Sequence, residues 1–185
     1  MSQAPKTLIL LAAAAIVPVV AAFAWYFFLP PLSHMNYGEL IAPRRLPELR
    51  FALHDGGALN LSDLRGRWIL LSADASACDD YCRHKLYLMR QVRAAQGVSN
   101  LNRVERLWIL TDGGSPSPEL IADYPGMRVV RGAQGLMASL PGDPHTAHIY
   151  LVDPMGNLML KFPRNPEPTG MIHDLQRLLR VSRIG

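Results

Sequence analysis

The sequence predicts an α/β domain, a mixed sheet flanked by helices, carried behind one N-terminal transmembrane helix. Three observations predict it. The stretch from Leu8 to Leu29 carries no charge. Beyond it, short apolar runs alternate with amphipathic ones. Two of those runs, Trp68 to Ala73 and Val104 to Thr111, are separated by a helix-length segment, the pattern of a right-handed parallel crossover.

The N-terminal run reads LILLAAAAIVPVVAAFAWYFFL. About 20 apolar residues are what a helix needs to cross the hydrocarbon core of a bilayer. Trp25 and Tyr26 suit the interfacial aromatic belt. Pro18 is a defect that membrane helices tolerate. Pro30 and Pro31 stop the helix, since neither offers an N–H and both disfavour a helical predecessor. Ala22-Phe23-Ala24 is a small-x-small triplet of the sort cleaved in signal peptides. The apolar run nevertheless continues through Leu29 and exceeds a signal core, so the expectation is an uncleaved single-pass anchor. Lys6 and the α-amino group favour a cytoplasmic N-terminus, with Arg44 and Arg45 partly offsetting them. The domain is then expected on the periplasmic, extracytoplasmic side, with the lipid bilayer as a partner through Leu8–Leu29. The predicted organisation is an anchor over 1–31, a polar tether over 32–47 and a folded domain over 48–185.

Within the domain, Leu49 to Leu53 and Ala58 to Leu61 flank His54-Asp55-Gly56-Gly57, a hairpin signal. Ser62 to Gly66 is a short helical turn ended by glycine. Trp68 to Ala73 reads as a buried central strand. Asp79 to about Gln96 reads as a helix stopped by Gly97. Cys78, Cys82, Leu86 and Met89 share one of its faces, and Arg83, Lys85, Arg90 and Arg93 occupy others. Val104 to Thr111 is a second strand, Pro118 to Tyr124 a short helix and Met127 to Val130 a short strand. His148 to Val152 and Leu158 to Phe162 form a hairpin across Asp153-Pro154-Met155-Gly156-Asn157. An amphipathic helix with Met171, Leu175, Leu178 and Leu179 closes the chain. This order is a thioredoxin-like plan.

Composition narrows the function. The formal charge is +4, from 19 basic and 15 acidic residues. The basic residues are scattered, with no Lys/Arg block interleaved with aromatics, so no nucleic-acid partner is expected. Two cysteines four positions apart are too few and too close for a disulfide scaffold, and point to redox or metal chemistry.

The pair, Cys78-Asp79-Asp80-Tyr81-Cys82, falls where the first central strand passes into the long helix. Residues at i and i+4 project from one helical face, so both sulfurs can reach a common point. The free N–H groups at a helix start favour thiolate over thiol. Thiolate is both the soft ligand that selects Cu(I) and the nucleophile of disulfide exchange. Two sulfurs leave a copper ion under-coordinated. Candidate third ligands are His54, His84, His145, His148 and His173, with His34 in the tether. His145 and His148 lie in a Pro- and Gly-rich loop, PGDPHTAH, before an apolar strand, and such loops commonly carry ligands. A structural disulfide or two inert core thiols remain open readings at this point. So does a peroxidatic Cys78, although Ser76 is its nearest hydroxyl and no proline precedes it.

These residues resemble the Sco/SenC family of copper proteins for cytochrome c oxidase assembly. The likeness runs from about Leu46 to the C-terminus. It includes Leu64-Arg65-Gly66-Arg67-Trp68 before the first central strand and Ile109-Leu110-Thr111-Asp112 at the end of the second. It is strongest over His145-Thr146-Ala147-His148-Ile149-Tyr150-Leu151-Val152-Asp153-Pro154-Met155-Gly156, where His145 stands five residues before Tyr150, the place of the family's ligand histidine. The family's prolines beside the cysteines and its aromatic-Thr pair are missing from Ser76-Ala77-Cys78-Asp79-Asp80-Tyr81-Cys82, and the segment between Asp112 and His145 looks short. The resemblance implies a divergent member. Copper would be held by Cys78, Cys82 and His145, with His148 in reserve, and the partner would be an oxidase subunit carrying a copper centre. The alternative it admits is a dedicated thiol–disulfide oxidoreductase, with Cys78 and Cys82 as a catalytic redox pair acting on that subunit's cysteines.

Overall fold

The computed structural model describes residues 3–28, 36–142 and 144–182. The chain divides into two units, Met1–Met35 and Asn36–Gly185. The predicted Pro30–Pro31 stop, Leu29, His34 and the start of the tether lie outside the described residues, as do residues 183–185.

The first unit is one helix, α1 (Gln3–Phe28), of 26 residues with Pro18 inside it. At 1.5 Å per residue it is about 39 Å long. Its described side chains are exposed throughout. Among the described residues no helix is long and apolar enough to cross a membrane.

The second unit is built on a sheet of eight described strands: β1 (Glu39–Arg45), β2 (Arg50–Leu53), β3 (Ala58–Asn60), β4 (Trp68–Asp74), β5 (Val104–Leu110), β6 (Arg128–Arg131), β7 (Ile149–Val152) and β8 (Asn157–Lys161). Their order across the sheet is β1-β8-β7-β4-β5-β6-β2-β3. The helices are α2 (Asp80–Ala94), α3 (Pro118–Ala122), α4 (Gln134–Met137) and α5 (Pro168–Val181). β4 and β5 run parallel, from Trp68 opposite Val104 to Asp74 opposite Leu110, with α2 as the crossover. β7 pairs antiparallel to β4, so the sheet is mixed, as expected.

Period-two alternation makes two cores. From β4, Trp68 and Leu70 point to one face, where α2 and α5 bring Leu86, Met89, Met171 and Leu175. Ile69, Leu71 and Ala73 point to the other, with Phe51, Leu64, Leu136 and Tyr150. Among the described residues no long helix covers that second face. The 3₁₀ turn Leu61–Leu64 and the four-residue α4 do so.

The tether reading needs one correction. Part of 32–47 is structured, because Glu39–Arg45 forms edge strand β1 against β8. Six of its seven residues are exposed, so it lacks the alternation that announces a strand. Pro43 is tolerated there because an edge strand has one unpaired side.

Candidate thiol-redox site

The site forms where β4 ends. All seven residues of β4 are buried, and the chain leaves it through Ala75-Ser76-Ala77. Two devices fix this loop. The Cys78 amide donates to the Ala75 carbonyl at 3.0 Å. Asp112, just past β5, accepts from the Ser76 amide at 3.0 Å and from its hydroxyl at 2.9 Å. The Ser76 backbone N–H is the chief cause holding the Asp112 carboxyl below its ordinary pKa.

Cys78 then takes φ +47°, in the left-handed region where a side chain costs about 1–2 kcal/mol. Such strain is found where surrounding contacts over-determine a functional turn. Asp79 caps α2, its carboxylate accepting from the Cys82 amide at 2.8 Å. The turn brings the two cysteines together. They form a disulfide, with Cα atoms 5.1 Å apart, and both are almost fully buried.

The disulfide lies in a pocket of about 380 Å³ lined also by Asp74, Tyr81, Thr146, Ala147 and Arg164. The Tyr81 hydroxyl donates to the Ala147 carbonyl at 2.8 Å, and the Arg164 guanidinium sits 5.6 Å from the Tyr81 ring centroid.

Below this lies a feature the sequence reading put elsewhere. Lys85 does not point away with the arginines; its side chain is fully buried. Its Nζ is 2.8 Å from Asp74 Oδ1 and donates to the Thr146 carbonyl. The Ser72 hydroxyl donates to Asp74 Oδ2 at 2.6 Å. Burial pushes the Asp74 carboxyl up and the Lys85 ammonium down, and each group partly offsets the other's shift. The signal was present in the spacing: 82, 85, 86 and 89 form one helical stripe, and Lys85 is its only charge.

The structure brings Cys78 and Cys82 together but does not close a three-ligand metal site. Among the described residues no group of three or more His, Cys, Asp or Glu side chains stands close enough to hold a metal ion. His145 begins the 3₁₀ turn His145–Ala147, whose other two residues line the cysteine pocket while His145 does not. Its Nδ1 is buried without a hydrogen-bond partner. The Tyr150 hydroxyl, its pKa pushed up to about 12 by burial, stays protonated and donates to the Pro141 carbonyl at 2.8 Å and the His145 carbonyl at 3.4 Å. His148, the reserve, is occupied elsewhere. Its Nδ1 lies 2.8 Å from the Phe162 carbonyl, and its ring packs edge-on to Tyr150. His84 and His173 are exposed on their helices, and His54 sits beside the β2–β3 turn.

A mixed sheet with a parallel βαβ crossover, and a disulfide-bonded cysteine pair where its central strand enters the helix, defines a thioredoxin-fold protein. The chain belongs to the family described as transmembrane-like, thioredoxin-like, C-terminal domain, which matches residues 68–182. Among solved structures it resembles copper-bound ScoI of Bradyrhizobium japonicum at 21% identity, covering 72% of this chain and 99% of that one, with a TM-score of 0.59. It resembles BsSco, a member of the Sco family of cytochrome c oxidase assembly proteins with a disulfide switch, at 16% identity, 81% and 100% coverage and a TM-score of 0.59. It also resembles the thioredoxin domain of a thiol–disulfide oxidoreductase of Bacteroides vulgatus at 19% identity, 75% and 98% coverage and a TM-score of 0.55. At these identities the shared property is the fold, and it is the fold of the family the sequence resembled. No curated protein matches the sequence.

Proposed function

We propose that this chain is a membrane-anchored, Sco-type assembly factor for cytochrome c oxidase whose Cys78–Cys82 pair cycles between dithiol and disulfide. The observation that carries the reading is the closed Cys78–Cys82 bond in a pocket at the start of α2. A disulfide there can be attacked by a client thiol, and once reduced the pair can pass two electrons to a client disulfide. The α1 helix is assigned as a single-pass anchor, with the domain on the extracytoplasmic side. Two things support this: the uncharged run of the sequence from Leu8 to Leu29, and the persistence of disulfides in oxidising compartments.

A second activity of the same sulfurs is favoured by the unpartnered Nδ1 of His145. In the dithiol state Cys78 and Cys82 supply two soft ligands suited to Cu(I) as cargo. His145 would join them when the loop at 144–147 turns its ring into the pocket that its neighbours already line. The copper-bound Sco-type structure of the same fold accords with this reading.

Both parts can be tested on the full chain in detergent. Equilibration with thiol–disulfide buffers, read by alkylation, should show a reversible two-electron couple in a protein that stays folded. Anaerobic titration of the reduced chain with Cu(I) should show stoichiometric binding, weakened in His145→Ala. A disulfide reducible only on unfolding sinks the redox reading, and a reduced chain that ignores Cu(I) sinks the copper reading.

A further inference from the structure

We infer that the buried Asp74–Lys85 pair is an electrostatic positioning device that sets how readily the Cys78–Cys82 disulfide opens; the inference rests on the redox reading above. A fully buried lysine and a nearly buried aspartate are expensive to place in a core, and replacing such a pair with apolar side chains is often neutral or stabilising. Asp74, one member of this pair, lines the pocket that also holds the Cys78–Cys82 disulfide.

Geometry supports the link. Asp74 lines the same pocket as both cysteines. Lys85 lies one helical turn beyond Cys82 on the buried face of α2. Its ammonium is held between Asp74 and the Thr146 carbonyl, and both of those residues are pocket walls. The charged and polar groups facing the pair are few. From β4 comes the Ser72 hydroxyl on Asp74. From α2 come the Asp79 carboxylate, which acts on both members, and the Tyr81 ring, 5.2 Å from Lys85 Nζ. Arg164 lies against the same ring.

The chemistry needs such a device. When a dithiol reductant opens the bond, its thiolate attacks one cysteine sulfur and a new S–S bond forms. The Cys78–Cys82 bond breaks, and its electron pair leaves on the other sulfur as thiolate. The reductant's second thiolate then displaces the first cysteine. Oxidised reductant departs, two electrons have passed to the chain, and water supplies the two protons. The leaving sulfur must carry negative charge in an almost dry place. There the Lys85 ammonium stabilises it and the Asp74 carboxylate opposes it. The pair therefore holds two opposing charges in balance.

The test follows from that opposition. Full-length chain in detergent is reduced by dithiothreitol at fixed pH, and the second-order rate and equilibrium potential are read by alkylation. Lys85→Met should slow reduction about threefold or more and make the potential more reducing; a single nearby charge on a leaving thiolate has an effect of this order. Asp74→Asn, which leaves the ammonium unopposed, should speed reduction about threefold and make the potential more oxidising. The double variant should return towards wild type. A purely structural role would move both single variants the same way or neither, and would overturn the inference. Should Lys85→Met not fold, Lys85→Gln, which keeps an N–H donor for Asp74 and the Thr146 carbonyl but carries no charge, is measured in its place: slower reduction is expected, and an unchanged or faster rate refutes. A disulfide that dithiothreitol cannot open in any variant overturns the redox reading itself, an outcome distinct from an openable disulfide indifferent to these charges.

Discussion

Asp174 offers the clearest quantitative prediction. It lies on the buried face of α5 and is 3% exposed. Its two carboxylate oxygens accept from the Tyr37 amide at 3.0 Å and the Gly38 amide at 2.8 Å, bonds that reach back 137 and 136 positions. The clasp fastens the first residues of the domain to its last helix. A hydrogen bond to a charged group contributes about 1.5–3 kcal/mol, and an amide left buried without a partner loses it all. Asp174→Ala strands two donors and should cost about 3–5 kcal/mol. Asp174→Asn keeps one carbonyl oxygen and should cost about half as much. The measurement is urea denaturation of the chain from Asn36 onward, the unit that holds both cores, with hydrogen exchange at Tyr37 and Gly38. Those two amides should exchange far faster in the alanine variant. A loss under about 1 kcal/mol with unchanged exchange would refute the reasoning, because water would then be satisfying both amides.

Three further outcomes are expected. Gly114→Ala would put a methyl group 2.0 Å from the Ser76 hydroxyl oxygen, on the loop that Asp112 clasps, so it should cost about 1–3 kcal/mol by urea denaturation. Arg106 is buried, with Nε and Nη1 unpartnered and its pKa lowered to about 10, chiefly by burial and then by Arg93 and Arg90. Arg106→Met should therefore stay within about 1 kcal/mol of wild type or gain stability, and a large loss would show an unseen counter-charge. Asp74 has its pKa raised, mainly by burial, so its contribution is complete below the unfolded value near 3.8 and is lost as pH rises through the folded value. Stability measured from about pH 4 upward should fall in wild type relative to Asp74→Asn, and parallel curves would count against the assignment.

Most of the sheet was legible because its signals are local. Trp68 to Ala73 and Val104 to Thr111 are apolar runs bounded by turn residues, and Gly97 does end the helical region that begins at Asp79. The cysteine pair was legible for the same reason, since four positions and a helix start suffice to place two sulfurs side by side. Three things depended on tertiary context. β1 is held by its backbone against β8 and carries no pattern of its own. Lys85 has the spacing of a buried residue, but its chemistry assigns it to the surface unless the Asp74 that ends β4 is seen to meet it. His145 occupies the expected place along the chain, yet where its ring points depends on how the turn from His145 to Ala147 packs, which no spacing encodes.

The two rims of the sheet also bear on how this domain lives beside other proteins. β3 is only three residues long, and β1 breaks register between Leu40 and Arg44 and carries Pro43, Arg44 and Arg45. A short rim and an irregular, positively charged one both resist strand addition by a neighbour. Copies of this domain brought close together would thus resist polymerising through their open strands.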